Sequence, residues 1–380
     1  MSIKTSPLMR VLALVPSTYD TSPGQRFRME QWAPYLSERG IEIDFQSFEC
    51  DELHSTLYKP GNLSRKLNLV TKAFARRIGT IREVRKYDVV YVFREAAILG
   101  PAFIEYWVHA TKVPMIFDFD DAVFVPYKSP SNGYLSLLKF PSKVRTICRL
   151  SAHVMAGNAY LADYARQVND SVSIVPTTID TEKYQPRASE TDSAVPTIGW
   201  SGSYSTVQHL DTLRGALQRL AKREKFKLRV IGTSEYSIDG VDVQAIQWRS
   251  ETETQDLLPI DIGIMPLPDD PWSRGKCGLK ALQYMALGIP SVSSPVGVNS
   301  EIIDDGRNGM LASTEDEWIE KLATLLRSVE LRKKLGDAGR ITVETKYSAE
   351  VQAPRVHNII ASVAKKTRQS ELVLEKNIGE

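Results

Sequence analysis

Two clusters in this chain combine residue types and spacing suited to chemistry. The first is Gly275-Lys276-Cys277-Gly278, followed by Lys280. The apolar periodicity of 277–287, stopped by Gly288 and Pro290, predicts a helix that begins at these glycines. A helix start presents backbone N–H groups and the positive end of the dipole, so an anionic phosphate is expected there. Lys276 and Lys280 would add charge-assisted contacts to a diphosphate; a capped helix with two solvated lysines fits the same residues. The second cluster is Asp118, Asp120 and Asp121, at the end of an apolar strand. Three such carboxylates repel unless one is protonated or paired. In a cleft, Asp120 or Asp121 can receive a proton from a reacting hydroxyl. The alternatives are a loop held by Asx turns or by Arg94, and a Mg or Mn site.

Other polar groups sit at the ends of predicted strands. Thr21–Arg28 follows the first strand; Gly24 gives a flexible turn, and Arg26 or Arg28 can meet an anionic group. Arg94 follows the strand 89–93, and Asn158 and Tyr160 follow 153–156. Three separated cysteines with no Cys-x-x-Cys pair argue against a zinc site or disulfide framework and fit a reducing cytoplasm. A net charge of +2 argues against a dedicated nucleic-acid binder. The apolar run 11–15 is far too short to span a membrane and lacks a cleavage signal.

These residues need elements to position them. Short apolar runs at 9–16, 41–48, 89–93, 114–119, 153–156 and 172–175 alternate with amphipathic stretches such as 29–39 and 63–86. That pattern predicts a parallel sheet covered on both faces. Residues 184–196 read as a linker. A second series follows at 197–200, 227–232, 243–246, 261–265 and 291–294. The fold class is therefore α/β: two tandem Rossmann-like doubly wound domains, 1–185 and 186–349. A helix from about 349 to 366 returns to the first domain, and a tail beyond it frays. An interdomain cleft at the strand ends is the expected ligand site, with closure about the linker.

The run Ala281-Leu-Gln-Tyr-Met-Ala, with Gly288 and Pro290, continues into Ser294-Pro-Val-Gly-Val-Asn and Asp305-Gly-Arg-Asn-Gly. It resembles the donor-binding half of retaining glycosyltransferases of family 4, with the GT-B fold. Val172-Ser-Ile-Val-Pro-Thr-Thr-Ile-Asp-Thr-Glu-Lys-Tyr-Gln-Pro and Ile198-Gly-Trp-Ser-Gly-Ser resemble that family's segments before and after the linker. The resemblance implies a nucleotide-sugar donor (UDP- or GDP-linked), a carbohydrate or lipid-linked acceptor, and no cofactor or metal. Its two glutamates fall at Gly275 and Gln283; Gln283 can hydrogen-bond a ribose hydroxyl as donor or acceptor. Its phosphate-binding cations fall at about Ser203 and Gln208. Gly202, Ser203 and Thr206 would then supply backbone and hydroxyl donors while Lys276 and Lys280 supply charge. Gly297 and Glu301 would lie beside the donor, and Trp248 where the base packs, as a stacking partner or as core. Asp120 falls where the family has a histidine that reaches the donor sugar. Arg26 or Arg28 would contact an anionic acceptor or the donor phosphates, and Arg94 the acceptor or the aspartates, with Gly24 facing the cleft and Asn158 in a stretch that resembles the family's interdomain segment.

Residues 62–86 carry eight basic residues and one acid, with apolar positions 63, 67, 70, 74, 78 and 81 at helical spacing. The stripe is expected to pack on the sheet while the basic face lends weak attachment to an anionic membrane surface. The implied activity is sugar transfer to a hydroxyl in polysaccharide or glycoconjugate synthesis. The alternatives are a non-catalytic sugar-nucleotide-binding subunit and a sugar-nucleotide epimerase. A nicotinamide dehydrogenase fits less well, since no Gly-x-Gly-x-x-Gly follows the first strand.

Overall fold

A computed structural model describes residues 8–57, 61–126, 139–187, 195–202 and 206–378. The chain forms two compact units, 1–176 with 352–380, and 177–351.

The first unit is built on six parallel strands: β1 (Met9–Val15), β2 (Ile41–Ser47), β3 (Val89–Phe93), β4 (Met115–Phe119), β5 (His153–Ala156) and β6 (Val172–Ile174), in the order β2-β1-β3-β4-β5-β6. Strands β3 and β4 are buried along their whole length, because helices cover both faces of the sheet and remove the alternation of a one-sided sheet. The strand order reverses between β1 and β3, which makes their carboxyl ends the topological switch point, the usual ligand position in open α/β sheets.

The second unit repeats the architecture with β7 (Thr197–Ser201), β8 (Lys227–Ile231), β9 (Asp242–Ile246), β10 (Ile262–Met265), β11 (Ser291–Ser293) and β12 (Met310–Leu311), in the order β12-β11-β10-β7-β8-β9. Its switch point lies between β7 and β10. Trp200, Leu228, Ile262 and Ile264 from the sheet pack with Leu217, Trp318 and Leu322 from helices. Strand β12, two residues long, is too short to leave a periodic signal and was not anticipated.

Several expectations change. The helix expected over 29–39 starts at Pro23, passes through a π-helical stretch, Arg26–Glu30, and ends at Ser37. The irregularity centres on Arg28 (φ −129°, ψ −115°), whose side chain is drawn into the sheet. The expected linker is packed at its start. The Tyr184 hydroxyl bonds Glu253, and Arg340 donates to the carbonyls of Tyr184 and Thr181, so this stretch belongs to the second unit. Of the remainder, 188–194 lie outside the described residues. The tail expected to fray continues one helix, Ala349–Ile378, in which Ala353, Val356, Ile360 and Val363 are buried.

The basic helix spans Leu63–Glu83, and its apolar stripe packs only in part: Phe74 meets Phe48 edge-on, ring centres 5.1 Å apart, and Val70 and Ile81 are half-buried. The inward face is Lys66, Leu69, Ala73 and Arg77, while Leu63 and Leu67 are each 66% exposed. Arg77 decides this orientation. It donates to the carbonyls of Gln46 (2.7 Å) and Val15 (2.9 Å) at the ends of β2 and β1. Burial, then the neighbouring Arg76 charge, pulls its pKa down to about 9 against the weaker pull of the Glu105 carboxylate.

Candidate functional site

The carboxyl edge of the first sheet carries a layered set of charges. Asp118 lies within β4 and is fully buried. Arg28 grips it through two bonds, Nε to Oδ2 at 2.7 Å and Nη2 to Oδ1 at 2.5 Å, and donates its remaining Nη1 to the Val175 carbonyl at 2.7 Å. The Tyr91 hydroxyl also donates to Asp118. Burial pushes the Asp118 carboxyl above its usual range, against the pull of Arg28. Burial also pulls the Arg28 guanidinium down, but the Asp118 charge and hydrogen bond outweigh it and leave Arg28 above its ordinary value. Arg28, Asp118 and Tyr91 are thus joined in one buried hydrogen-bonded set.

Above it, Arg94 Nε donates to Asp120 Oδ1 at 2.6 Å. Arg94 holds a left-handed backbone (φ 56°), uncommon for a side-chain-bearing residue, with its N–H on the Asp118 carbonyl at 2.7 Å. Gly24 leans on this pair: a Cβ there would come within 2.5 Å of Arg94 Nη2 and 2.9 Å of Asp120 Oδ2. Gly24, Arg94 and Asp120 thus form one cluster at the ends of β1, β3 and β4. Its loop is pinned by Gln25, which exchanges hydrogen bonds with the Ser17 backbone and reaches Glu30. Asp121 follows, nearly buried, with Oδ1 on the Ala122 N–H at 3.0 Å.

The two arginines of this loop are both buried in ion pairs. Arg26 is buried and paired with Asp20 at 2.7 Å, and Arg28 is sealed on Asp118. Asn158 caps the helix Ala159–Arg166, accepting from the Leu161 N–H at 2.9 Å.

In the second sheet, Gly202 directly follows β7 and Gly232 directly follows β8. Their backbones touch so closely that a Cβ on Gly232 (φ 138°) would fall 1.9 Å from the Gly202 carbonyl oxygen. A Cβ on Gly202 would meet the Trp200 ring at 2.3 Å and Thr206 Oγ1 at 2.8 Å. Ser203 lies outside the described residues. Lys280, in the first turn of the helix Leu279–Ala286, places its ammonium 5.7 Å from the centre of the Trp200 ring, and Lys276 stands 4.7 Å from that of Trp272. Gly202, Thr206 and Lys280 are thereby gathered around Trp200, at the end of the sheet where helix N–H groups point outward.

Gly278 begins that helix with φ 70°, and a Cβ there would strike Ile302 at 2.3 Å. Gly297 (φ 56°) turns against the Arg274 backbone, where a Cβ would lie 2.8 Å from its carbonyl oxygen. Glu301 does not share that contact. It is exposed and lines a cavity of about 520 Å³ with Lys334, Thr342 and Lys346. Gln283 is buried and donates Nε2 to the Tyr184 hydroxyl at 3.1 Å. Tyr184 in turn donates to Glu253 Oε2 at 2.5 Å, and the Trp248 indole N–H to Glu253 Oε1 at 2.9 Å. Sequence reasoning gave no role to Tyr184, although it lies in the segment that resembles the family's stretch before the linker, or to Glu253, whose position carries no motif. It also missed Tyr284, which packs against Gly263 and accepts from the Ser201 N–H at 2.9 Å.

Residues 195–328 match the family model described as glycosyl transferases group 1. The second unit is a group 1 glycosyl transferase domain. The match contains the Gly202–Lys280 cradle and the Gly297 turn. The chain is 25% identical over 215 residues to a GDP-mannose-dependent monoacylated alpha-(1-6)-phosphatidylinositol monomannoside mannosyltransferase of Corynebacterium glutamicum, covering 50% of this chain and 55% of that protein. It thus spans about half the length of that curated relative. Among solved structures, sucrose-phosphate synthase from Thermosynechococcus elongatus superposes with a TM-score of 0.70 at 13% identity, covering 93% of this chain and 99% of that one. HepE from Anabaena, in complex with UDP and glucose, gives 0.64 at 13% identity, covering 93% and 100%. These likenesses identify the fold as GT-B, with the group 1 domain as its second Rossmann-like unit. Among the described residues, no helix is long and apolar enough to cross a membrane.

Proposed function

We propose that the protein transfers a sugar from a UDP- or GDP-sugar to an acceptor hydroxyl, with retention of anomeric configuration, in the synthesis of a surface polysaccharide or glycoconjugate. The observation that carries this reading is the coincidence of the group 1 match with the closely packed Gly202–Gly232 backbones and the lysine-flanked start of the helix Leu279–Ala286. The relative named for GDP-mannose and the neighbour bound to UDP support the two bases.

On this reading, Lys276, Lys280 and the helix-start N–H groups stabilise the charge that grows on the diphosphate as the sugar leaves. Gly202 and Thr206 add backbone and hydroxyl donors. Trp248 stacks on the base, and Gln283 bonds a ribose hydroxyl. The sugar passes through an oxocarbenium-like state. Asp120 or Asp121 receives the proton from the acceptor hydroxyl; Arg94 orients Asp120, and Gly24 gives both room. The lysines supply the cationic charge, so no metal or other cofactor is assigned. Exposed Leu63, Leu67 and Ile78, with exposed Lys72, Arg76 and Arg82 on the same helix, support weak peripheral attachment to an anionic lipid surface. A lipid-linked acceptor at the cytoplasmic face of a membrane fits that attachment.

The test is a thermal-shift and hydrolysis screen against UDP-, GDP-, ADP- and CMP-sugars. Stabilisation by one donor with slow release of its nucleoside diphosphate supports a transferase. Turnover of the sugar nucleotide to an isomer without acceptor identifies an epimerase. Binding without any turnover, in line with Gly275 where the family has a glutamate, identifies a non-catalytic subunit.

A further inference from the structure

The polarity of the hydrogen bonds behind Gln283 is fixed at its far end. Glu253 is a carboxylate, which only accepts. It is buried, and it receives the Trp248 indole N–H on Oε1 and the Tyr184 hydroxyl on Oε2. Indole can only donate, which confirms the direction at one oxygen. Tyr184, fully buried, has a single proton and directs it to Glu253. Its oxygen is then left to accept, and the group facing it at 3.1 Å must be the Gln283 amide nitrogen rather than the amide oxygen. Among the described residues, no hydrogen bond falls on Gln283 Oε1.

We propose that Glu253 and Tyr184 are positioning residues that hold the Gln283 carboxamide with its oxygen toward the nucleotide. A neutral glutamine is thereby made an obligate acceptor for a ribose hydroxyl. The side chain alone is ambivalent, able to donate or accept; the buried carboxylate two hydrogen bonds away removes the choice. The same carboxylate fixes the edge of Trp248, so the residue assigned to the base and the residue assigned to the ribose share one anchor. This inference rests on the donor-site reading of Gln283 and Trp248 given above.

The experiment measures dissociation constants of UDP and GDP by calorimetry for the wild type, Gln283→Ala, Tyr184→Phe and the double variant. Analogues whose 2′- or 3′-hydroxyl is replaced by fluorine, which cannot donate, are measured beside them. Loss of one well-made hydrogen bond weakens binding about tenfold. That loss is expected for one of the two fluoro analogues on the wild type and for Tyr184→Phe on the parent nucleotide. The double variant is expected to bind no more weakly than Gln283→Ala, because Tyr184 acts through Gln283. Additive losses in the double variant overturn the relay, since a merely structural Tyr184 would add its own cost. Equal binding of both fluoro analogues and the parent also overturns it and needs no variant to fold. Failure of the wild type to bind either nucleotide overturns the donor-site reading itself, a result distinct from binding with an additive cycle.

Discussion

Gly24 and Asp118 show how differently two residues at one sheet edge are constrained. Gly24 is needed for space: a methyl group there meets the ends of the Arg94 and Asp120 side chains, and the arginine can swing away. Gly24→Ala is therefore expected to lower stability by only about 1 kcal/mol while reducing sugar transfer at least tenfold, because the Arg94–Asp120 pair must open. Thermal unfolding and a turnover assay on the same sample separate the two effects. Asp118 is needed for charge. Asp118→Asn leaves the fully buried Arg28 guanidinium without its counter-ion, which costs about 3–5 kcal/mol. Denaturant unfolding at neutral pH should register that loss. An unchanged midpoint would mean that Arg28 finds another partner or water.

At the scale of elements, the helices over Asp51–Leu57 and Leu63–Glu83 are tied to the ends of β1 and β2 by polar contacts. His54 Nδ1 lies 2.8 Å from Glu49 Oε2. The hydrogen bond to Glu49, against burial, raises the His54 pKa above its ordinary value of 6.5. A raised histidine stabilises the fold fully below its unfolded pKa, and the contribution disappears as pH rises through the folded pKa. Stability should therefore fall slightly from about pH 6 to pH 8. His54 is partly exposed, so solvent screening keeps the change under about 1 kcal/mol. His54→Asn should flatten that slope in pH-dependent unfolding. The second helix carries a separate prediction. Replacing exposed Leu63 and Leu67 by serine should abolish co-sedimentation with phosphatidylglycerol vesicles at low salt without lowering the unfolding midpoint, since neither residue is in the core. Wild-type protein that stays in the supernatant would remove lipid attachment from the proposed function.

For the whole molecule, the proposed donor must act on the folding equilibrium. A ligand that binds only the native state stabilises it by about 2.7 kcal/mol at a hundred times its dissociation constant. Saturating UDP-sugar or GDP-sugar should raise the unfolding midpoint in a concentration-dependent way, and Lys280→Ala should blunt the rise. A midpoint that ignores every donor would count against the cradle at Gly202 and Lys280. The C-terminal helix shows why the chain behaves as two units rather than two consecutive halves: Ala349 begins it beside Ile179, while from residue 352 onward it belongs to the first unit.

Much of this was legible along the chain because it depends on local order. Alternating buried strands and amphipathic helices are a one-dimensional signal, and they announced two parallel α/β sheets. Glycines before a helix, with lysines beside them, marked a helix start whose proposed role in holding phosphate rests on backbone chemistry that needs no tertiary detail. Partner choice was different, because it depends on which distant groups share a low-dielectric space. The sequence offered Arg94 as a partner for the aspartates but left Arg26 and Arg28 equivalent; folding seals Arg28 on Asp118, pairs Arg26 with Asp20 and sets Arg94 on Asp120. The apolar stripe of Leu63–Glu83 suggested one inward face, yet the carbonyls at the ends of β1 and β2 claimed Arg77 and turned Leu63 and Leu67 outward. Gln283 could be named from its motif, but the acceptor role proposed for it depends on Tyr184 and Glu253. Those residues are far apart in the chain, and only tertiary packing brings their hydrogen bonds into one line.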